Sequence, residues 1–253
     1  MDLTLFQYML LFFGAISASL VDSIAGGGGI ITIPLLLAVG IPPHETIATN
    51  KLQASFGSFT AMMRYRHSGL VALRDVIPGI VSTAAGALIG AVMIQLISAE
   101  TLIGIIPFVL TGLLIYTIAS PKLGTVDTAA KINENLLFIC FGLFLGFYDG
   151  FFGPGTGSFW TLALASLAGY NLKRATAATK VMNFTSNCVS LIVFLLGGKV
   201  IIIIGLIMGA GQLIGAWMGT HLVITRGTRF VRIFFILVVS ATIIDLLIKQ
   251  FCA

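Results

Sequence analysis

Charge is what this sequence has least of. Of its 253 residues 9% are Asp, Glu, Lys or Arg and 58% are hydrophobic, whereas a soluble domain is about one quarter charged. So few charges cannot cover a water-exposed surface of this size. That excludes a soluble domain, and with it the basic face that nucleic-acid binding needs. Cysteine is scarce too. Cys140, Cys188 and Cys252 stand singly in apolar surroundings, with no CxxC or ligand pair, so packing is their expected role. His44, His67 and His221 each lack a nearby second ligand. No metal or other cofactor is implied. The four glycines at 26–29 are not followed by GK[ST], so they are not a P-loop, and self-contained ATP-driven transport is excluded. No Lys or Arg precedes the first apolar run, and Asp2 has the wrong sign for a signal-peptide n-region. A cleaved leader is therefore not expected.

What the chain does have is a succession of apolar segments, at about 3–21, 30–39, 46–63, 72–97, 101–118, 135–152, 157–169, 175–196, 200–223 and 229–248. Most approach the roughly 20 residues that cross a bilayer as helix. The period-2 alternation of a membrane barrel is absent. The expected class is an all-α polytopic membrane protein. Segments 30–39 and 157–169 are too short to span comfortably, and each follows a glycine-rich break: VDSIAGGGG at 21–29, and GFFGPGTG after Asp149.

The order of features repeats. Asp22 with its glycines matches Asp149 with its own. GIPPHETIATNK, ending at Lys51, matches GYNLKRATAATK, ending at Lys180. GALIGA at 86–91 matches GQLIGA at 211–216. The three matches are collinear and about 125–129 residues apart, which argues for internal duplication, a common way to build transporters. The expected division is 1–119 for the first repeat, 120–133 for a cytoplasmic linker and 134–253 for the second repeat.

Lys and Arg set the expected orientation. Placing Arg64, Arg66 and Arg74, Lys122 and Lys131, Lys173 and Arg174, and Arg226, Arg229 and Arg232 in the cytoplasm gives a threading in which each repeat crosses a net three times. An odd number inverts the second repeat. The two glycine-broken hairpins then enter from opposite faces, and both termini lie outside. Each half becomes a glycine-broken helical hairpin plus three transmembrane helices.

Irregular backbone at membrane depth is tolerated only where protein or a water-filled cavity surrounds it. Glycine lets backbone N–H groups approach a ligand, and a helix N-terminus favours an anion. Gly26, Gly27, Gly28 and Gly29, with Gly153, Gly155 and Gly157, are therefore candidate binding elements. Asp22 and Asp149 are expected to form a gating or proton-coupling pair, because matched intramembrane acids are costly; a helix-capping role is the plainer reading. Lys51 and Lys180 could attract an anion, or extend their long stems to the interface. Thr46, Asn50, Gln53, Gly57 and Thr60 recur at helical spacing. So do Thr176, Thr179 or Lys180, Asn183, Asn187 and Ser190. Each stripe lines one helix face, as cavity wall or as glue between helices. Gly86 with Gly90 and Gly211 with Gly215 are read as close-packing motifs. The two intramembrane acids and Tyr148-Asp149 are similar to presenilin-like aspartyl proteases, but the Gly-x-Gly-Asp of that family precedes neither.

The stretch DSIAGGGGIITIPLLLAVGIPPHETIATNKLQASFGS resembles the first-half signature of the sulfite exporter TauE/SafE family, also called the toluene sulfonate uptake permease family. GFYDGFFGPGTGSFW followed by ATAATKVMNFTSN resembles its second half. The resemblance covers essentially the whole chain. It implies a multi-pass protein of the bacterial inner membrane that moves small sulfur-containing or organic anions: sulfite, thiosulfate, sulfoacetate or other sulfonates. By position, Asp22, Gly26 to Gly29, Asn50, Lys51 and Gln53 match the first motif. Asp149, Gly153, Gly155, Gly157, Thr179, Lys180 and Asn183 match the second. Thr179 stands where the first half has Asn50, so the half-sites differ. The expected activity is secondary transport of such an anion, with a passive anion channel as the alternative and an intramembrane enzyme as a remote one. The expected partners are a small anionic substrate, the lipid bilayer and protons as a candidate coupling ion, with no nucleic acid; a homo-oligomer is compatible with the sequence.

Overall fold

The computed structural model describes residues 3–98, 100–101 and 127–251, with the helical backbone alone for 227–251. Helix α1 (Leu5–Ala25) opens on a reciprocal cap. Thr4 Oγ1 accepts the Gln7 N–H, and Gln7 Oε1 accepts the Thr4 N–H at 2.8 Å, which satisfies two donors that the first turn would otherwise leave bare. α2 (Gly28–Ala38) has 11 residues and contains Pro34. α3 (Pro43–His67) begins at a proline, whose missing N–H has no use in a first turn. A 3-10 turn (Leu73–Val76) leads into α4 (Ile77–Ile94). The second half holds α5 (Glu134–Phe151), α6 (Thr156–Leu167), α7 (Leu172–Leu196) and α8 (Ile202–Phe251). The described elements are all helical.

Among the described residues, five stretches are long and apolar enough to cross a membrane: Leu5–Ala25, Leu73–Ile94, Glu134–Phe151, Leu172–Leu196 and Ile202–Arg226. α3 has the length, at 25 residues, but carries Glu45, Lys51, Arg64 and Arg66 together with its polar stripe. Phe6, Val81, Phe144 and Ile203 are more than 60% exposed. Such apolar outward faces suit lipid and would be a liability in water.

α3 and α7 pack against each other at the centre. α1 lies along α8, and α4 lies along α5, so the first helix of each half packs on the fourth described helix of the other. Small residues permit these approaches. A methyl on Gly86 or Gly90 would meet the carbonyl oxygens of Leu143 and Phe147, and one on Gly215 or Gly219 would meet those of Ile16 and Leu20. Small-xxx-small packing of this kind lets backbones touch.

Two sequence expectations are corrected. Packing pairs Gly86 and Gly90 with Gly215 and Gly219, one helical turn beyond the match with Gly211 and Gly215 read from GALIGA and GQLIGA. The segments expected at 200–223 and 229–248 form a single continuous helix, α8; no proline lies between them to force a break. The segment at 101–118 and Lys122 fall almost wholly outside the described residues. So does the first half of the 120–133 linker, but its end is docked. Thr128 and Lys131 donate backbone N–H groups to Gly169 and Leu167, and Asp127 Oδ1 accepts the Asn171 N–H at 2.6 Å.

Candidate functional site

The two glycine-rich breaks meet. α2 and α6 are each preceded by a glycine in the left-handed region, Gly27 at φ 96° and Gly155 at φ 78°, where an L side chain is strained. The breaks are close enough that a Cβ on Gly26 would collide with the backbone of Gly157 and Ser158, and one on Gly29 would come 3.2 Å from Pro154 Cα. Ser158 Oγ donates to Ala25 O at 3.0 Å, which ties the start of α6 to the end of α1. The N–H groups of Gly29 and Gly157 have no hydrogen-bond partner among the described residues.

Around this junction the acids and lysines pair across the halves. Lys51 of α3 reaches Asp149 of α5 at 2.7 Å and also donates to the Asp149 backbone carbonyl. Lys180 of α7 reaches Asp22 of α1 at 2.7 Å. Asp22 Oδ1 further accepts the Gly28 N–H at 3.1 Å, while Asp149 Oδ2 accepts from Ser186. The lysine side chains are 1% and 0% exposed, Asp149 is 6% exposed and Asp22 is 22% exposed. Charges this deeply buried persist only when paired and hydrogen-bonded, so each lysine holds the acid of the opposite half.

A cavity of about 40 Å³ opens at the junction, room for about three waters or one small ion. Asp22, Gly27, Gly28, Gly29, Asn50 and Gln53 line it from the first half. Asp149, Gly153, Gly155, Gly157 and Asn183 line it from the second. Gly26, Lys51, Thr179 and Lys180 stand behind the wall. Gly26 is pressed on Gly157, the lysines sit on the acids, and Thr179 pairs with Thr161 at 3.1 Å. The polar stripes divide likewise: Asn183 and Asn187 reach the cavity, while Thr46 donates to Ile41 O and Thr60 to Phe56 O. Asn183 Oδ1 is buried without a partner. The lining also includes Thr156, Asn187 and Gln212. Asn187 lay in the polar stripe. Gln212 lies inside the GQLIGA motif, where the glycines alone drew the reading; a long amide in a small-residue helix face was the signal available.

The profile of the sulfite exporter TauE/SafE family matches residues 10–246. The chain belongs to that family. Among its relatives are probable membrane transporter protein ORF9 of Sinorhizobium sp, 41% identical over 246 residues (97% of this chain, 94% of the relative), and a probable membrane transporter protein of Haemophilus influenzae, 41% identical over 232 residues (92% and 91%). Probable membrane transporter protein YfcA of Escherichia coli K12 is 43% identical over 223 residues (88% and 83%). No solved structure matches the chain. Family membership and the apolar helices make this a multi-pass membrane protein of a transporter family.

Proposed function

We propose that the chain is a secondary transporter of small organosulfur or related organic anions, of the sulfite, thiosulfate, sulfoacetate or sulfonate class, across the bacterial inner membrane. The observation that carries this reading is the meeting of two helix N-termini, each broken by glycine, at one polar cavity between the halves. Unengaged N–H groups on Gly29 and Gly157 offer an oxyanion hydrogen bonds without a competing side chain. The two aspartates that line the cavity and the two lysines behind it sum to no net charge. A bound anion therefore gains most when Lys180 loosens from Asp22, the more exposed of the two acids. Asp22 and Asp149 act as gates, and a proton on Asp22 would release that lysine. The mirrored packing of α1 on α8 and α5 on α4 supports two repeats of opposite orientation, with the basic clusters cytoplasmic and the N-terminus periplasmic; the uninterrupted α8 removes the reversal after Arg226 that a periplasmic C-terminus needed.

A thermal-unfolding screen of purified protein against sulfite, thiosulfate, sulfoacetate and alkyl sulfonates tests cargo binding, since a ligand that binds the native state raises its apparent stability. In proteoliposomes the same anion should enter saturably and accumulate against its gradient; unsaturable downhill flux would identify a channel instead.

A further inference from the structure

A chain of side-chain amides runs from α8 to the cavity. Gln212 Nε2 donates to Gln53 Oε1, and Gln53 Nε2 donates to Asn50 Oδ1 at 2.6 Å. Thr32 Oγ1 lies 2.6 Å from the same Asn50 oxygen. Gln212, Gln53, Asn50 and Thr32 are 4%, 1%, 5% and 0% exposed, so these bonds form away from bulk water. Each amide points the same way, and Asn50 Oδ1 accepts from Gln53 Nε2, with the Thr32 hydroxyl, which also lies 3.1 Å from Gly28 O, beside it. What Asn50 has left is Nδ2, which has no partner among the described residues, and Asn50 lines the cavity. Aligned amides polarise one another, which strengthens the donor at the free end. Space is kept for this chain: a Cβ on Gly57 would collide with Gln212 Oε1.

The corresponding positions across the cavity are filled differently. Where one side has Gln212 of α8 with Gln53 and Asn50 of α3, the other has Thr83 of α4 with Met182 and Thr179 of α7. Thr83 Oγ1 faces the Met182 sulfur at 3.5 Å, a weak acceptor, and the Thr179 hydroxyl is occupied by Thr161. None of these three lines the cavity. The cavity therefore has one polarised wall.

We infer that Gln212, acting through Gln53, orients Asn50 so that its Nδ2 donates to an oxygen of the cargo, and that the oxyanion head sits against the first half. Gln212 is a positioning residue in this scheme. The inference rests on the cavity being the anion site.

The test is a double-mutant cycle on full-length protein titrated calorimetrically with sulfite, with thermal unfolding confirming that each variant is folded. Gln212→Met should weaken binding about tenfold. In an Asn50→Ala background it should change affinity less than about twofold, because the effect passes through Asn50. Gln212→Glu cannot donate to Gln53 and should reverse the chain, weakening binding at least as much as Gln212→Met. Thr83→Val, at the corresponding position of the other half, should leave affinity within about twofold. Additive effects of Gln212→Met and Asn50→Ala, or an equal loss in Thr83→Val, would overturn the inference while the anion site stands. If the wild type binds no sulfite, the site reading fails separately. The amide chain is then read without ligand from the Asn50 side-chain ¹⁵N–¹H₂ resonances: Gln212→Met should shift them and Thr83→Val should not, and resonances unmoved by Gln212→Met would overturn it.

Discussion

Lys51 and Asp149 form the more buried of the two ion pairs, and removing one partner leaves the other charged and unpaired. Breaking a buried pair in this way costs about 3–5 kcal/mol. Lys51→Met should therefore destabilise the protein more than Lys180→Met, because Asp22 is 22% exposed and solvent relieves part of its loss. Chemical denaturation in detergent checks the order, and equal losses would contradict it. The same lysines report on cargo. If a lysine transfers from its acid to the anion, Lys180→Met should weaken binding about tenfold or more, the value of a charge-assisted hydrogen bond. A lysine that only holds its acid would leave affinity within about twofold. At Asp22 the carboxylate does two things at once: it accepts the Gly28 N–H and it holds Lys180. Asp22→Asn keeps the shape and removes the charge. A proton-coupled gate predicts that this variant still binds cargo but loses the pH dependence of transport. Binding and transport falling together with the pH profile intact would assign Asp22 to organising the loop instead.

The short helices α2 and α6 depend on the backbone turns that precede them. Gly155 at φ 78° should reject a β-branched side chain, since the left-handed region costs an L residue about 1–2 kcal/mol. Gly28→Val meets a different obstacle, because its Cβ would sit 2.9 Å from Asp22 Cβ and 3.1 Å from Ala18 O. Both variants should insert into the membrane, remain folded and lose anion affinity; titration of the two purified proteins with the wild-type cargo checks this. The breaks themselves were legible, because runs of glycine after an intramembrane acid have few other readings. The start of α3 was signalled by Pro42-Pro43, yet its apolar segment was placed from residue 46. The pairing of Lys51 with Asp149, and of Lys180 with Asp22, was not legible. Sequence matched lysine to lysine and acid to acid between the halves, and only the crossing of the halves brings each lysine to the other's acid. The one-turn slip in matching the packing glycines has a different cause. GALIGA and GQLIGA differ at one letter, but Gly211, Gly215 and Gly219 recur every four residues along the face of α8 that packs on α1, so the letters alone fit two registers one turn apart.

The whole molecule is two halves that complete each other. α1 needs α8 and α4 needs α5 for a packed face, and the cavity exists only where the two glycine junctions meet. Neither half alone should retain the site. Expressed separately, residues 1–119 and 134–253 should bind no anion, and co-expression should restore binding; affinity in one isolated half would contradict a shared site. The most direct test of the account is accumulation of radiolabelled sulfite or thiosulfate in proteoliposomes loaded with unlabelled anion, with wild type and Gly155→Val compared at equal insertion. The account predicts saturable, concentrative uptake by the wild type and none above protein-free vesicles by Gly155→Val. Wild-type rates in Gly155→Val would contradict it, because the anion would then be crossing by a route other than the junction of the two halves.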